Sequence, residues 1–202
     1  MPLHYYRSHH NCEVTLWKIT EEATFFREAL VQEGFPTEQG DRIAREEKAL
    51  QWYASRYLLL TSHPAAIDYY KERKPHLFNG PKISFSHSED IVGLLLSQNN
   101  AGLDVQVFNE KLERIKDKFT SAEELKLIRA NSDLSALSLT WSVKEAIFKY
   151  YGTGVPFKSV KITNHDPVTN MVKVNLKRDG KDVMHKLHAD FLENLSLAYV
   201  LE

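Results

Sequence analysis

Apolar residues recur along the first half of the chain with two spacings, which predict helices followed by short strands. Residues 20–34 repeat apolar positions every three or four residues, and a longer helix is predicted from about 37 to 61. The basic segment 71–82 contains proline and glycine and is expected to be a loop. Short apolar or alternating runs predict strands at 14–19, 83–88, 91–97 and 103–108.

The second half repeats this order of elements. A capping sequence at 120–124 and a long apolar-periodic segment at 133–152 predict helices, the second ending at Gly152. The runs VKIT, MVKVNLK, DVMHKLHA and LSLAYVL alternate apolar and polar residues and predict an antiparallel meander. Helices therefore lead into strands twice. We expect an α+β fold with two similar lobes, 1–101 and 102–202, packed as one body.

The composition indicates a folded protein and gives no sign of a nucleic-acid partner. Hydrophobic residues make up 43% of the 202 positions, and 26 Lys and Arg nearly balance 27 Asp and Glu. The single cysteine, Cys12, cannot form an internal disulfide. No apolar run approaches the ~20 residues of a membrane span or forms a signal peptide. A cytoplasmic protein without membrane contact is expected.

Two carboxylates are candidates for chemistry. Asp104 lies in the apolar strand GLDVQ, where a charged side chain needs solvent, a partner or a metal. Glu145 and Lys149 are four residues apart, a spacing that favours a surface ion pair worth about 0.3–0.5 kcal/mol to a helix. Trp141 lies on nearly the same helix face and is expected to pack there. Glu145 therefore borders an apolar surface, which leaves a functional role open.

The strand SFSHS, residues 84–88, is a candidate for phosphate binding. Hydroxyl groups and an imidazole at a strand end, here including Ser86 and His87, suit phosphate oxygens. Neighbouring strand residues point to opposite faces, so the pair is a poor nucleophile and base. Lys74 belongs to a basic run that is equally typical of a solvated face. The chain contains neither a Walker-type nor a dinucleotide-type glycine motif.

Four short motifs follow one another along the chain: KP (74–75), SFSHS (84–88), GLDVQ (102–106) and WSVKEAIFK (141–149). In this order and spacing they resemble the 4′-phosphopantetheinyl transferases, in the larger, two-lobed, pseudo-symmetric class that activates surfactin-type synthetases. The resemblance implies two α+β lobes, each with a long helix on a small antiparallel sheet, related by a pseudo-twofold axis with the active site at the seam. It implies Mg²⁺-dependent transfer of the phosphopantetheine arm of coenzyme A to a serine of an apo acyl or peptidyl carrier protein, with release of adenosine 3′,5′-bisphosphate.

The resemblance also implies roles for particular residues. Asp104 and Glu145 would hold Mg²⁺, since oxygen ligands suit this ion, and Glu145 would also accept the proton of the carrier serine. Lys149 would stabilise charge on the pyrophosphate as its bond breaks. Further contacts to coenzyme A would come from side chains that carry hydroxyl or basic groups: Lys144 and His87 on its phosphates, and Ser86 and Lys74 on the nucleotide.

Two positions depart from the family pattern. The third acid that usually follows the motif aspartate is here Gln106, whose amide oxygen can ligate Mg²⁺ but adds no charge. The arginine expected on the first long helix is also missing, and Lys48 and Arg56 are the candidate substitutes. These departures keep a second hypothesis open, a non-catalytic relative that binds coenzyme A or a carrier protein. A site complete in one chain predicts a monomer.

Overall fold

The computed structural model describes residues 3–9, 11–64, 67–71 and 74–201. The chain divides into two compact units, Met1–Gln98 and Asn99–Glu202. Each unit combines helices with antiparallel strands, so the predicted α+β fold class is confirmed. Among the helices in the described part of the chain, none has both the length and the apolar character needed to cross a membrane.

In the first unit, a four-stranded antiparallel sheet runs in the order β1-β2-β6-β5, and β3 and β4 form a separate hairpin. Helices α1 and α3 pack on the sheet around a core that includes Phe26, Leu59 and Val92. The elements of this unit, in chain order, are β1 (Leu3–His9), β2 (Cys12–Lys18), α1 (Ala23–Gln32), α2 (Glu38–Asp41), α3 (Glu46–Ser62), β3 (Asp68–Lys71), β4 (Lys74–Leu77), β5 (Lys82–Ser88) and β6 (Ile91–Ser97).

In the second unit, a five-stranded antiparallel sheet runs in the order β7-β11-β10-β9-β8. Helix α6 packs along it, and Val143, Ile147 and Val174 are among the buried residues of the shared core. The elements of this unit, in chain order, are β7 (Leu103–Val107), α4 (Lys111–Ile115), a 3₁₀ turn (Lys116–Lys118), α5 (Ala122–Leu127), α6 (Asp133–Tyr151), a second 3₁₀ turn (Phe157–Ser159), β8 (Val160–Asp166), β9 (Met171–Arg178), β10 (Lys181–Leu192) and β11 (Leu195–Leu201).

Both ends of α6 are defined by local sequence. The hydroxyl of Ser132 accepts a hydrogen bond from the Ser135 N–H at 3.2 Å, and the Ser135 hydroxyl accepts one from the Ser132 N–H at 3.0 Å. This reciprocal cap satisfies two amides that have no partner inside the helix. Gly152 ends the helix with a φ of 83°, a conformation that costs glycine little. The prediction of a helix ending at Gly152 is confirmed.

The two units share a strand order. In the first, the last strand β6 lies between β2 and β5; in the second, the last strand β11 lies between β7 and β10. In each unit a strand is followed by helices and then by a later strand that pairs antiparallel with it. These pairs are β2 with β6 and β7 with β11. This agreement is compatible with two similar lobes. The pseudo-twofold axis between them, the exact domain limits and the seam remain predictions.

The predicted helix from 37 to 61 is wrong in its first turns. The chain instead forms the short helix α2, leaves helical geometry, and starts α3 at Glu46. A Cβ on Gly40 would lie 2.5 Å from the rings of both Trp52 and Tyr53. Twelve residues of continuous helix would separate these positions by about 18 Å, so this contact requires the chain to turn back.

Two further expectations differ from the structure in the first unit. The segment 71–82, expected to be a loop, contains β4, which pairs antiparallel with β3, Tyr69 opposite His76; residues 72 and 73 lie outside the described part. Strand β1 was not predicted, although it pairs with β2 over most of its length. In both cases the strand is defined by its hydrogen bonds to a neighbouring strand. The spacing of apolar residues gives no information about such pairing.

Candidate active site

Asp104 is the buried acid of strand β7. Its residue is only 5% exposed, which requires a compensating positive charge or hydrogen bonds. Lys149 on α6 supplies one: its Nζ donates a hydrogen bond to Asp104 Oδ1 at 2.8 Å, across 45 residues of sequence. The isolated strand aspartate is therefore not a solvent-facing residue, and β7 and α6 are joined by an ion pair.

Glu145 lies one helical turn before Lys149, on the face of α6 that points toward Asp104. Its side chain is half-buried, and burial raises the pKa of Glu145 to about 7. The negative charge of Asp104 adds to this rise in pKa, and the positive charge of Lys149 opposes it. Asp104 and Lys149 are thus close enough for their charges to alter the protonation of Glu145.

Gly102 allows this close approach of β7 and α6. It lies two residues before Asp104, on the same face of the strand. A Cβ at this position would lie 2.2 Å from the backbone oxygen of Ala146 and 2.8 Å from Tyr150. Only a residue without a side chain fits, so the glycine of the GLDVQ motif sets the distance between the two carboxylate-bearing elements.

Gln106 occupies the next position on that strand face. It is half-buried, and its Nε2 donates to the backbone oxygen of Val107 at 2.7 Å. Because that contact uses the amide N–H, the amide oxygen is the atom of this side chain that suits a cation. No cluster of three or more His, Cys, Asp or Glu residues that could hold a metal occurs within the described ranges. The acidic part of the site consists of Asp104 and Glu145.

The segment that carries this site matches a known protein family. The family model of the 4′-phosphopantetheinyl transferase superfamily matches residues 100–200, which is 101 of 202 positions. The chain belongs to this superfamily. The match confirms the resemblance to this superfamily, and it contains two of the four motifs, GLDVQ and WSVKEAIFK. No curated protein matches the chain significantly.

The superfamily match contains Asp104, Gln106, Lys144, Glu145 and Lys149. It does not include the five candidate residues of the first unit. For Lys74, Ser86 and His87 a phosphopantetheinyl transferase role rests on the KP and SFSHS motifs. For Lys48 and Arg56 it rests on their place on the first long helix. The larger, two-lobed class of the superfamily remains a prediction.

Lys144 does not have the environment expected of a phosphate contact in this superfamily. Its side chain is 0% exposed, and its Nζ donates to Glu124 Oε1 at 2.8 Å. The same Oε1 atom accepts the backbone N–H of Ile162 at 3.0 Å. Burial lowers the pKa of Lys144, and Glu124 opposes that change. We therefore assign Lys144 to the interior of the second unit, where it joins α5, α6 and β8, and leave it out of the proposed site.

The predicted capping box at the start of α5 is only half formed for the same reason. Ser121 accepts a hydrogen bond from the Glu124 backbone N–H at 3.3 Å, but the Glu124 carboxylate turns to Lys144 instead of back to the cap. Sequence reasoning placed Glu124 at a helix start and missed this partner. The two residues are 20 positions apart in the sequence. Spacing rules for helices and strands relate only residues a few positions apart, so they do not predict this pair.

Replacing Lys144 with methionine is expected to lower the free energy of unfolding by about 3–5 kcal/mol, because Glu124 would be left charged and buried. The double variant Glu124→Leu/Lys144→Met should recover most of that loss. Urea denaturation measures both. Lys116→Met, which breaks an exposed pair with Glu113, is the control and should cost less than about 1 kcal/mol. A small loss in the single Lys144 variant would contradict the assignment.

Trp141 has the packing role expected of it. Its ring makes edge contacts with Phe119 and Phe157, each with centroids 5.1 Å apart. These contacts fix α6 against the segments before α5 and after α6. The face of the helix next to Glu145 is thereby held by aromatic packing.

Three candidate phosphate residues of the first unit lie on β4 and β5, which are consecutive strands of different sheets. Ser86 is buried on β5 and the next residue, His87, is exposed, as strand alternation requires. Lys74 begins β4 and is half-buried; burial lowers the pKa of Lys74 to about 8, and the positive charge of Lys82 acts in the same direction. A phosphate partner would favour the charged form of this ammonium. The nucleotide role of Lys74 remains a prediction.

The two candidate substitutes for the superfamily arginine differ in their environments. Arg56 is 3% exposed, pairs with Asp68 at 2.8 Å, and stacks over the rings of Trp52 and Phe85 at 4.6 Å. This guanidinium is a structural link between α3, β3 and β5, so we leave it out of the proposed site. Lys48 is half-buried on α3, and its Nζ donates to Gln51 Oε1 at 2.9 Å. Lys48 is therefore the better candidate of the two.

Proposed function

We propose that this protein transfers the 4′-phosphopantetheine arm of coenzyme A to a serine of an apo acyl or peptidyl carrier protein. The observation that carries the proposal is the arrangement of Asp104, Glu145 and Lys149 on β7 and α6, inside the segment that matches the superfamily. In this reaction the serine oxygen forms a bond to the β-phosphorus. The bond between that phosphorus and the bridging oxygen breaks, and adenosine 3′,5′-bisphosphate leaves.

The acidic pair fits a divalent cation of the Mg²⁺ type. One or two carboxylates together with substrate phosphate are the ligands that Mg²⁺ takes in proteins. Burial raises the pKa of Glu145, and the charge of Asp104 adds to that rise, so a bound cation would favour the ionised form of Glu145. Asp104 and Glu145 would hold the ion, with the amide oxygen of Gln106 as a third, neutral oxygen. When bound, the ion neutralises charge on the pyrophosphate.

The side chains of this protein would perform the remaining steps. Glu145 accepts the proton of the carrier serine as its oxygen attacks. Lys149 donates hydrogen bonds to the pyrophosphate and stabilises the negative charge that develops on the leaving bisphosphate. Lys74, Ser86, His87 and Lys48 are proposed to hold the nucleotide and its phosphates. Most of the rate enhancement then comes from positioning and charge stabilisation.

The direct test is a transfer assay with purified protein, coenzyme A, Mg²⁺ and a panel of apo carriers from fatty-acid, polyketide and peptide synthesis. We expect mass spectrometry to show the addition of one phosphopantetheine arm to at least one carrier. The absence of transfer to every carrier in the panel would overturn the proposal.

Gln106 favours one alternative, a relative that binds coenzyme A or a carrier protein without catalysis, because its amide adds no charge to the metal site. Calorimetry separates the two functions. An active enzyme should bind coenzyme A more tightly in the presence of Mg²⁺ and then transfer the arm. Tight binding that is indifferent to Mg²⁺, with no transfer, would favour the binding module.

Metal affinity is expected to depend on pH through Glu145. The pKa of this carboxyl is raised to about 7, and only its ionised form ligates a cation. Each pH unit below about 7 should therefore weaken Mn²⁺ binding roughly tenfold, while affinity should level off above about pH 8. Electron paramagnetic resonance of free Mn²⁺, without coenzyme A, measures this directly. Equal affinity at pH 6 and pH 8 would contradict the prediction.

A further inference from the structure

The ammonium group of Lys149 occupies a position next to the acids that the proposed function assigns to a metal ion. Its Nζ lies 2.8 Å from Asp104 Oδ1, and its charge lowers the pKa of Glu145. The Asp104 side chain is 7% exposed and that of Lys149 is 27% exposed. The lysine therefore reaches in from the more accessible side toward a buried carboxylate.

We propose that Lys149 is an internal cation that is exchanged for the divalent metal. In the free protein it neutralises Asp104, and it turns from this carboxylate to the pyrophosphate when metal and coenzyme A bind. The inference rests on the proposed function, because it takes Asp104 as a metal ligand. It adds that one side chain competes with the metal in the free protein and supports the substrate afterwards.

The physical argument concerns charge and access. A metal ion that ligates Asp104 would meet a positive charge within hydrogen-bond distance of the same carboxylate. At such a distance, in a partly buried site, the ammonium and the metal ion repel each other, and each weakens the binding of the other. The side chain of Lys149 has four rotatable bonds and is partly exposed, so the ammonium can leave without a change in the fold.

Exchange of this kind couples metal binding to coenzyme A binding. Without coenzyme A, the metal must displace the ammonium from Asp104, and the energy of this ion pair is lost. With coenzyme A, the pyrophosphate supplies a new partner for the ammonium. Coenzyme A should therefore raise metal affinity, and by linkage the metal should raise coenzyme A affinity by the same factor. Part of this coupling comes from direct contact of the ion with phosphate, and only the remainder depends on Lys149.

The experiment compares Mn²⁺ binding by the full chain and its variants, using electron paramagnetic resonance of free Mn²⁺ at pH 8, with and without coenzyme A. Lys149→Met is expected to bind Mn²⁺ at least about tenfold more tightly than the parent protein in the absence of coenzyme A. The enhancement caused by coenzyme A should be smaller in this variant. Lys149→Arg keeps the charge and should retain the weak binding of the parent.

Lys173→Met is the matched control, since it removes one exposed lysine from β9 of the same unit, and it should bind Mn²⁺ like the parent. Circular dichroism and urea denaturation verify that each variant is folded. If Lys149→Met is unstable, two other measurements still test the exchange. Tighter Mn²⁺ binding by Lys149→Arg without coenzyme A would contradict it. So would the absence of any increase in Mn²⁺ affinity when coenzyme A is added to the parent protein.

Two failures are distinguishable. Unchanged or weaker Mn²⁺ binding by folded Lys149→Met, in a protein that transfers phosphopantetheine, overturns the exchange and leaves the proposed function standing. No Mn²⁺ binding by the parent or any variant, even with coenzyme A, overturns the metal site itself and the exchange with it. The transfer assay then decides separately whether the protein is a transferase that works without this metal site.

Discussion

Replacing Glu145 with glutamine is expected to lower the rate of phosphopantetheine transfer by about a thousandfold, while the chain remains folded. Glutamine has nearly the same size and keeps one side-chain oxygen, so packing on α6 is preserved. It loses the negative charge that would hold the metal and the basic carboxylate that would accept the serine proton. Mass spectrometric rates with a responsive carrier protein measure the effect.

The stability of the Glu145→Gln variant gives an independent readout. The pKa of Glu145 in the folded protein, about 7, lies above its ordinary value of 4.5. The contribution of this group to stability is therefore fully present below pH 4.5 and is lost as the pH rises through about 7. Glutamine cannot ionise. At pH 8 without metal, the variant should be at least as stable as the parent protein toward urea.

Glu123→Gln is the control for both measurements, because Glu123 is an exposed acid on α5 of the same unit. It should transfer at nearly the parent rate. If Glu145→Gln transferred at the parent rate as well, neither the metal role nor the proton-accepting role of Glu145 would hold. Asp104→Ala provides a second test of the metal site and should also lose turnover by orders of magnitude.

Replacing Gly102 with alanine is expected to move β7 away from α6 and so to affect both stability and the site. The new methyl group would lie 2.2 Å from the backbone oxygen of Ala146, which belongs to a helix and cannot rotate away. Overpacking of this kind costs typically 1–3 kcal/mol and occasionally more, so we expect a loss of about 3 kcal/mol in the free energy of unfolding.

The same substitution should weaken the site even in molecules that fold. Separation of β7 from α6 would lengthen the contact between Lys149 and Asp104 and the distance between the two carboxylates. Mn²⁺ affinity and transfer should therefore both fall. Urea denaturation and electron paramagnetic resonance measure the two effects on one preparation.

Gly154→Ala is the control that separates the effect of overpacking at Gly102 from the general effect of replacing a glycine. Gly154 has a φ of +73° and no atom within 4 Å of its added Cβ, so alanine there meets only the strain of the left-handed conformation, about 1–2 kcal/mol. Its metal affinity should equal that of the parent. A Gly102 variant that matches Gly154→Ala in both measurements would show that β7 and α6 tolerate the methyl group.

The sequence by itself predicted the elements that carry the site. Apolar periodicity and a terminal glycine indicated α6, and alternation indicated the strands of the second half, because these signals depend on neighbours a few residues apart. Motif order indicated Asp104, Glu145 and Lys149 as the chemical residues. Where a local signal was misleading, as between α2 and α3, the cause was the close approach of Gly40 to the ring of Trp52, twelve residues away.

Only the tertiary structure decided which partner each charged side chain has. Lys149, placed by spacing beside Glu145, reaches Asp104 on a different element. Lys144 and Arg56, predicted to meet phosphates, are buried against Glu124 and Asp68. Such pairs join residues distant in sequence, and burial makes the pairing necessary because a buried charge without a partner is costly. The sequence determines which groups the protein has, and the packing of β7 against α6 determines that two acids and one lysine meet.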